Sequence, residues 1–297
     1  MEQGQIETLL ASTEKQWATV AWQVGEVKKA FGPNTPLGKR RTTFAVAPTH
    51  AVGDIEMAMI EREPITVIVS RLGWIRAMKG HQPKEAEVKF RDGDEGRFVF
   101  RAETTDRILV AGSNGRFYTL LGANLPGGRG MGEPLRLMVD LPNEAEIVDL
   151  ILYRPGQKFI VASTAGEGFV VPADEVVAQT RAGKQVMNLS GAARMAICRP
   201  IAGDHVAVVS KNRKLLAFPL DELPEMTRGK GVRLQKYKDG GLSDLKTFAA
   251  SAGLTWTDSS GRTYSKSMAD LGEWVAERAT AGRQPPTGFP RNNRFTG

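Results

Sequence analysis

Thiol and imidazole groups are scarce in this sequence of 297 residues, which contains one cysteine and three histidines. The single Cys198 excludes a disulfide framework and any metal site built from several thiolates. The histidines, His50, His81 and His205, do not stand at the spacing of zinc ligands. A zinc site is therefore not expected.

Long hydrophobic runs and the common catalytic motifs are missing as well. No apolar stretch reaches the roughly 18 to 20 residues that a membrane-spanning helix needs. The first five residues lack the basic and apolar segments of a secretory signal peptide. No Ser-His-Asp set, phosphate-binding P-loop or dinucleotide fingerprint is present. We therefore expect a soluble cytoplasmic protein without a membrane span.

Glycine, in contrast, is abundant, with 32 residues or about one in nine. Average usage is about 7%, and the sequence shows no collagen-like period. Glycine at this level indicates many tight turns, which favours a β-rich chain.

Basic residues exceed acidic ones, and the excess lies in the second half of the chain. The net charge is +7, and residues 151–297 hold 21 of the 40 basic residues but only 13 of the 33 acidic ones. This asymmetry indicates a polyanionic partner for the second half. A basic surface that serves only solubility is the alternative interpretation.

The first 31 residues have the heptad pattern of a coiled coil. Apolar residues alternate at spacings of four and three, with one polar position at Thr13, along the series Ile6, Leu10, Thr13, Trp17, Val20, Val24, Val27 and Phe31. Gly32 and Pro33 then end the helix. The pattern predicts a coiled-coil helix over 1–31 that pairs with another helix, or else an amphipathic helix that lies on the following domain. Residues 32–63 are predicted to be a connector.

From residue 64 onward, one pattern recurs: a β-rich run, a polar turn and a second β-rich run. The turn positions are 42, 51, 47 and 48 residues apart, at Gly73, Gly115, Gly166, Arg213 and Gly261. Each repeat predicts a hairpin with room for four short strands. The sequence therefore predicts an all-β, propeller-like fold of about five blades of four strands over 64–290, followed by a tail at 291–297.

Glycine next to arginine or lysine recurs downstream of each hairpin. These short basic segments are Met78–His81, Gly127–Glu133, Thr180–Lys184, Thr227–Arg233 and Ala281–Arg283. Glycine allows the backbone amides to approach a phosphate, and the cation supplies charge. The repetition predicts a curved, positively charged track along one edge of the blades.

The candidate DNA-contacting residues are the cations of these loops and of the hairpins. They are Arg71, Arg76, Lys79, Arg116, Arg129, Arg181, Lys184, Lys211, Arg213, Lys214, Arg228, Lys230, Arg233, Arg262 and Lys266. For any one of these residues, the alternative interpretation is a solvated side chain that does not contact DNA. The prediction therefore rests on the set.

Several longer stretches, taken with the hairpins and loops, resemble a known family. They are Pro64–Arg76 with Lys79–His81, Leu125–Leu135, Gly166–Val171, Arg181–Lys184 and Phe218–Gly231. On these stretches the chain resembles the C-terminal domain of the A subunits of bacterial type IIA topoisomerases. The Gln-Arg-Arg-Gly-Gly-Lys-Gly box of gyrase is absent, and Gly38–Arg41 is only superficially similar to it. The resemblance therefore favours topoisomerase IV over gyrase.

The resemblance implies a β-pinwheel, a disc in which neighbouring blades exchange strands and double-stranded DNA lies against the basic outer rim. It also implies that residues 1–31 end the coiled-coil arm of the catalytic core, so that the chain is a C-terminal fragment and Met1 need not be a natural start. The expected function is to bind and bend DNA, largely without sequence preference, for ATP-dependent strand passage. That activity serves decatenation, supercoil relaxation and chromosome segregation. The alternative is a propeller that serves as a protein-interaction scaffold.

No catalytic residue is expected in this chain. The family's catalytic tyrosine follows an arginine, whereas Tyr118, Tyr153, Tyr237 and Tyr264 follow other residues. The resemblance places ATP and Mg²⁺ elsewhere in the holoenzyme, so we expect no cofactor here. It implies the remainder of its own polypeptide and the separate ATPase polypeptide of the holoenzyme as partners, and association with the nucleoid.

Overall fold

The structure, a computed structural model, describes residues 2–39, 42, 60–83 and 88–296. The chain divides into two units, Met1–Ile55 and Glu56–Gly297. Most of the predicted connector, including Arg40 and Arg41, lies outside the described residues.

The first unit contains two helices, α1 (Glu2–Leu10) and α2 (Thr13–Phe31). The prediction of one continuous helix over 1–31 is therefore wrong. Ser12 has extended backbone angles, and its side chain accepts a hydrogen bond from the Lys15 amide at 3.4 Å. A serine at this position caps a new helix, because its hydroxyl partners an amide that the first turn leaves unpaired.

The heptad face of α2 is exposed. Trp17 has 68% of its surface accessible, Phe31 is similarly open, and no described residue of α2 is buried. The helix ends at Gly32, where the backbone becomes extended. No helix in the described part of the chain is long and apolar enough to span a membrane.

The second unit consists of short strands joined by tight turns. The strands are β1 (Pro64–Ser70), β2 (Trp74–Lys79), β3 (Gly96–Glu103), β4 (Arg107–Gly112), β5 (Arg116–Leu121), β6 (Glu133–Pro134), β7 (Ile147–Leu152), β8 (Lys158–Ser163), β9 (Glu167–Pro172), β10 (Lys184–Gln185), β11 (Met195–Pro200), β12 (His205–Ser210), β13 (Leu215–Pro219), β14 (Val232–Arg233), β15 (Leu242–Phe248), β16 (Leu254–Thr257) and β17 (Thr263–Lys266). One helical turn, α3 (Ala173–Val176), and 3₁₀ turns at Gly122–Asn124, Leu135–Leu137 and Leu220–Glu222 lie between them.

The predicted hairpin turns are confirmed. All five turn markers have a positive φ, at Gly73 (83°), Gly115 (77°), Gly166 (83°), Arg213 (62°) and Gly261 (82°). Glycine adopts this conformation without a steric penalty, and only the fourth turn uses another residue.

The strands form five sheets, which we number blades 1 to 5. Their strand orders are β3-β1-β2-β6, β7-β4-β5-β10, β11-β8-β9-β14, β15-β12-β13 and β16-β17. The predicted all-β, propeller-like architecture is confirmed. Blades 4 and 5 have fewer than the four strands that the repeat predicts.

The fourth strand of each complete blade comes from the chain beyond the next hairpin. After the hairpin of blade 2, the chain returns to blade 1, where β6 pairs with β2. In the same way, β10 follows the hairpin of blade 3 and pairs with β5 of blade 2, and β14 follows the hairpin of blade 4 and pairs with β9 of blade 3. Blade 4 receives only two isolated bridges, from Leu215 to Arg283 and from Ala217 to Val275. No further hairpin in the described chain supplies such a strand to blade 5. This strand exchange is the pinwheel connectivity that the resemblance implies.

Hydrophobic cores fill the junctions between successive blades. In β4, Ile108 and Val110 face blade 1, whereas Leu109 and Ala111 face blade 3. This alternation follows from the two-residue period of a strand. Similar clusters fill the junctions of blades 3 with 4 and 4 with 5.

The junction of blade 5 with blade 1 is different. No apolar cluster, hydrogen bond or ion pair between described residues joins these two blades. Blade 1 covers its outer face with its own chain: the Arg76 guanidinium lies 5.9 Å from the centre of the Phe90 ring, and that of Arg91 lies 3.4 Å from the Trp74 ring. The disc is therefore sealed at four of its five junctions.

The edge strands β3, β7, β11 and β15 lie at the centre of the disc, where β11 contacts both β7 and β15. Each of the five blades brings one charged residue to a central cavity of about 350 Å³. In chain order, this charge ring consists of Arg97, Asp149, Arg199, Asp244 and Arg294.

Residues 291–296, which we predicted to be a tail, belong to the disc. Phe295 is only 1% exposed within the core between blades 4 and 5. Its amide donates a hydrogen bond to Asp244 Oδ2 at 2.9 Å, while Asp244 Oδ1 accepts one from Arg199 at 2.9 Å. The end of the chain thus supplies the inner segment that blade 5 otherwise lacks.

Asp149 is the charge-ring member with a strongly shifted pKa. Burial raises its pKa to about 6. The hydrogen bond from the Leu150 amide and the charges of Arg199 and Arg97 favour the ionised carboxylate and partly oppose this increase. An unfolded aspartate titrates near pH 3.9. The folded state therefore binds the proton more tightly, and this group destabilises the fold as pH rises from about 4 through 6.

Replacing Asp149 with asparagine removes that destabilisation. We expect Asp149→Asn to raise the free energy of unfolding at pH 7.5 by roughly 1 to 3 kcal/mol, and the gain to shrink as the pH falls below about 6 and to vanish below about pH 4. Urea unfolding of both proteins across this pH range measures the difference, with the exposed Asp221→Asn as control. If the free energies of unfolding of wild type and Asp149→Asn changed in parallel with pH, the raised pKa of Asp149 would be contradicted.

Candidate nucleic-acid interface

Four loops connect each hairpin to the exchanged strand that follows it. These latch loops span residues 127–132, 178–183, 226–231 and 276–282. The first leaves β2 where the Ala77 amide donates to the Pro126 carbonyl at 2.8 Å, and returns to it where Glu133 pairs with Ile75. Because the opposite edge of each sheet lies at the axis, the latch loops project from the outer rim.

The glycine at the end of each latch loop has a structural function. Its φ is positive in all four latch loops, at Gly132 (82°), Gly183 (71°), Gly231 (83°) and Gly282 (71°). A Cβ atom at these positions would lie 2.4 to 2.7 Å from a carbonyl oxygen of the outer strand. Only glycine allows this approach, which brings the exchanged strand into register.

Hydrogen bonds link each latch loop to the segment that follows the previous one. The Asp140 amide donates to the Arg181 carbonyl at 2.9 Å, that of Asn188 to Gly229 at 2.8 Å, and that of Lys236 to Thr280 at 2.9 Å. The loops and these segments (residues 127–140, 178–189, 226–237 and 276–283) thus form one continuous structure, the rim band, along blades 1 to 4.

Exposed cations stand on the rim band. Arg129 and Arg233 have open side chains that make no ion pair or hydrogen bond with described residues. Arg228 is exposed and donates to Asn188 Oδ1 at 3.2 Å. Arg181 donates to the Leu137 carbonyl and lies 3.8 Å from Asp140. These guanidinium groups are available to a ligand outside the disc.

Other rim lysines are partly neutralised by carboxylates. Lys184 Nζ lies 3.4 Å from Glu175, and Lys230 Nζ lies 2.9 Å from Glu167. All four side chains keep solvent contact. Exposed pairs of this kind contribute at most about 1 kcal/mol, so a phosphate can compete for the lysines.

The hairpin tips border the rim band, since the Gly73 carbonyl accepts from the Leu135 amide at 2.9 Å and that of Gly166 from Leu234 at 2.8 Å. Five candidate cations lie at or near these tips and keep solvent contact: Arg71, Lys211, Lys214, Arg262 and Lys266. Arg71 forms an ion pair with Glu95, and Lys266 lies beside the Trp274 ring.

Three predicted contact residues hold the protein's own backbone instead. Arg76 is 7% exposed and donates to the carbonyls of Lys89 and Gly130. Arg213 donates to Phe289 and Pro290, both at 2.9 Å, and so ties a hairpin to the end of the chain. Arg116 donates to Ala182 at 2.8 Å and is half-buried. The sequence pattern could not show these long-range acceptors.

The predicted basic loop Met78–His81 is not a latch loop. It ends β2, and the Gly80 amide donates to the Pro64 carbonyl at 2.8 Å. Strand exchange requires a preceding blade, and the first hairpin has none. Lys79 remains exposed, 3.5 Å from Glu63.

Lys236 and Arg283 are exposed rim cations that are not among the candidate contact residues, although Arg283 lies in the predicted basic segment Ala281–Arg283. Arg283 follows the last latch glycine directly, in the place that Lys184 has in blade 2. Its position after that glycine was the available signal, although the last unit otherwise departs from the repeat.

Comparison with known proteins agrees with this architecture. The model of the DNA gyrase C-terminal domain, a beta-propeller, matches residues 106–153, 157–193 and 204–242. The A subunit of DNA topoisomerase 4 from Caulobacter vibrioides is 45% identical over 302 residues, and that from Rickettsia bellii is 42% identical over 296 residues. Each match covers 99% of this chain.

The chain belongs to the family of DNA topoisomerase 4 A subunits. It spans about 40% of the length of the curated relatives it matches. The solved Escherichia coli ParC C-terminal domain superposes with a TM-score of 0.67 and 28% identity, covering 77% of this chain and 96% of that domain. The resemblance to the C-terminal domain of the topoisomerase IV A subunit is thus confirmed.

The latch glycines provide a direct test of the strand exchange in this family member. Gly231→Ala places a Cβ 2.5 Å from the Gly168 carbonyl oxygen at a φ of 83°. We expect it to lower the free energy of unfolding by about 1 to 3 kcal/mol, measured by urea unfolding. Gly127→Ala is the matched control, because that position meets no heavy atom within 4 Å and has no positive φ. Equal stabilities of the two variants would contradict the proposed function of Gly231.

Proposed function

We propose that this domain binds double-stranded DNA along the rim band, largely without sequence preference, and bends it. The observation that carries the proposal is the continuity of the band: hydrogen-bonded loops from four blades present exposed cations on one curved edge. A curved line of cations matches a polyanion that follows the edge of the disc.

Bending sets a lower limit on the number of contacts. Curving 20 to 30 base pairs costs on the order of 1 to 6 kcal/mol, which one exposed phosphate contact does not offset. The rim band provides Arg129, Arg181, Arg228, Arg233 and Arg283, with Lys184, Lys230 and the hairpin tips beside them. Several blades must therefore act on the same duplex.

The shape of the rim favours binding without base recognition. In residues 60–83 and 88–296, the one α-helix is α3, which has four residues. It is too short to serve as a recognition helix in the major groove. The proposed contacts are thus with phosphates, which carry no sequence information directly.

Salt dependence tests the electrostatic contacts. If about five phosphates are neutralised, the logarithm of the association constant should fall with log salt at a slope of about −4 to −5. Arg129→Ala with Arg233→Ala should reduce the steepness by about two and weaken binding roughly tenfold or more, equally on unrelated sequences. Fluorescence anisotropy with labelled duplexes measures both quantities.

The matched control removes two exposed arginines outside the rim band, Arg101 on β3 and Arg154, which follows β7 and pairs with Asp106 at 2.7 Å. Replacing them with alanine changes the net charge equally and should leave the slope unchanged. A slope near zero for wild type, or equal losses for both double variants, would contradict the rim-band proposal. A loss confined to one sequence would indicate base recognition instead.

We further propose that the domain is non-catalytic and positions DNA for ATP-dependent strand passage by the holoenzyme, in association with the nucleoid. The phenols support this proposal, since Tyr118 is fully buried, Tyr153 bonds Asp174 and Tyr264 stacks on Trp256. Within the described ranges, no three His, Cys, Asp or Glu side chains cluster as a metal site requires. ATP and Mg²⁺ would therefore act elsewhere, with the remainder of this polypeptide and the ATPase polypeptide.

Decatenation by the reconstituted holoenzyme tests this second step. Removal of residues 64–297 should lower the rate of decatenation at least tenfold. The reason is that the domain no longer raises the effective concentration of the second duplex at the catalytic core of the holoenzyme. DNA cleavage by the core should persist, which separates a defect in DNA presentation from misfolding. Unchanged decatenation would contradict the positioning function.

A cleft between blades 3 and 4 supports the alternative function, a protein-interaction scaffold. It has a volume of about 780 Å³, with Val170, Ile201 and Leu220 among its apolar lining and Asp204 and Asp221 beside them. An acidic cleft in the more basic half of the chain suits a basic peptide rather than DNA. A gel-shift titration with plain duplex DNA separates the two functions.

A further inference from the structure

The charge ring at the axis has an odd number of members, and this has an electrostatic consequence. Going round the disc, Arg97, Asp149, Arg199 and Asp244 alternate in sign, and Arg294 is the fifth. A closed ring of five cannot alternate throughout. In this order the two neighbours of like charge are Arg294 and Arg97, which belong to blades 5 and 1 and line the same cavity.

The two carboxylates already have their partners within the ring. Asp244 accepts hydrogen bonds from Arg199 and from the amides of Leu245 and Phe295. Asp149 accepts one from the Leu150 amide and lies between blades 1 and 3, where Arg97 and Arg199 act on it.

Arg97 and Arg294, in contrast, have no carboxylate at ion-pair distance among the described residues, although Arg97 acts on Asp149 through space. Neither side chain forms an ion pair within the part of the chain that the structure describes, although both line the axial cavity. The Arg97 guanidinium lies 4.9 Å from the centre of the Phe98 ring. Two like charges therefore face the cavity from blades 1 and 5, between which the described residues form no apolar core.

We propose that the axial cavity binds a small tetrahedral oxyanion such as phosphate between the guanidinium groups of Arg97 and Arg294. Guanidinium presents paired N–H donors that match two oxygens of such an ion. The ion supplies the negative charge that the five-membered ring lacks. It thereby joins blade 5 to blade 1.

The carboxylates and the size of the cavity define the ligand further. Asp149 and Asp244 repel an anion, so that it binds on the side of the ring where the two arginines are neighbours. A volume of about 350 Å³ admits phosphate, sulfate or pyrophosphate but not a DNA duplex. The site is therefore separate from the rim band.

Thermal unfolding of the full chain with sodium phosphate tests the site. Against sodium chloride of equal ionic strength, 20 mM phosphate should raise Tm by about 2 to 4 °C, as a saturable ligand at several times its dissociation constant does. Arg97→Gln and Arg294→Gln should each abolish this increase. The control Arg291→Gln removes an exposed arginine that does not line the cavity and is not a candidate DNA contact, and this variant should keep the increase.

Isothermal titration with phosphate and a distance measurement complete the test. Spin labels at Arg101→Cys and Ser259→Cys report the separation of blades 1 and 5, since the native Cys198 is buried. Phosphate should narrow the distance distribution in this protein and not in its Arg294→Gln variant.

Three results would overturn the proposal: an equal effect of chloride, a phosphate effect that persists in both arginine variants, and one that Arg129→Ala with Arg233→Ala abolishes. The third would place the ion on the rim. A short labelled duplex should bind Arg97→Gln and Arg294→Gln as tightly as wild type. Weaker binding would mean that the arginines contact the phosphates of DNA.

Discussion

The pairing of an exchanged strand with the outer strand of the preceding blade is the interaction on which the rest of this structure depends. Each pairing is only about two residues long, as in β6 with β2. It holds because a glycine just before it brings the backbone against a carbonyl oxygen, at a distance that no side chain allows. The same step fixes the order of the blades and places a loop on the outer rim. The cation-bearing surface and the fold therefore come from one set of backbone contacts.

Strand exchange also makes the two ends of the disc unlike the middle. The first hairpin has no preceding blade to join, so the chain after β2 covers blade 1 with Phe90 and Arg91 instead. Among the described residues, blade 5 receives no strand from a later hairpin, and Thr296 supplies only one bridge to it. The junction of blades 5 and 1 is therefore not closed by strand exchange within the part of the chain that the structure describes. Arg97 and Arg294, the neighbours of like charge at the axis, belong to these two blades.

Local chemistry made the hairpins predictable, because a turn with a positive φ requires glycine or a tolerant residue at a fixed position. Even Arg213, the exception, was located by the β-rich runs on either side. The errors concern partners far away in sequence. The acceptors of Arg76 and Arg213 lie 13 to 77 residues away, and the core that buries Phe295 contains distant residues of blade 4. Ser12 caps a new helix inside a heptad pattern that continues across it, so the apolar spacing alone did not show the break.

The rim cations divide according to what their backbone neighbours require. Where a latch loop leaves a carbonyl unpaired and close, an arginine satisfies it and is lost to a ligand, as Arg116 is at Ala182. Where the arginine makes no such bond among the described residues, its side chain is left open, as at Arg129 and Arg233. A count of basic residues therefore overstates the charge available to DNA, and carboxylates such as Glu167 reduce it further. Binding through a limited number of open cations is strong enough to hold a curved duplex only when several blades contribute. The continuity of the rim band, rather than the net charge of the chain, is thus the property that suits this domain to DNA.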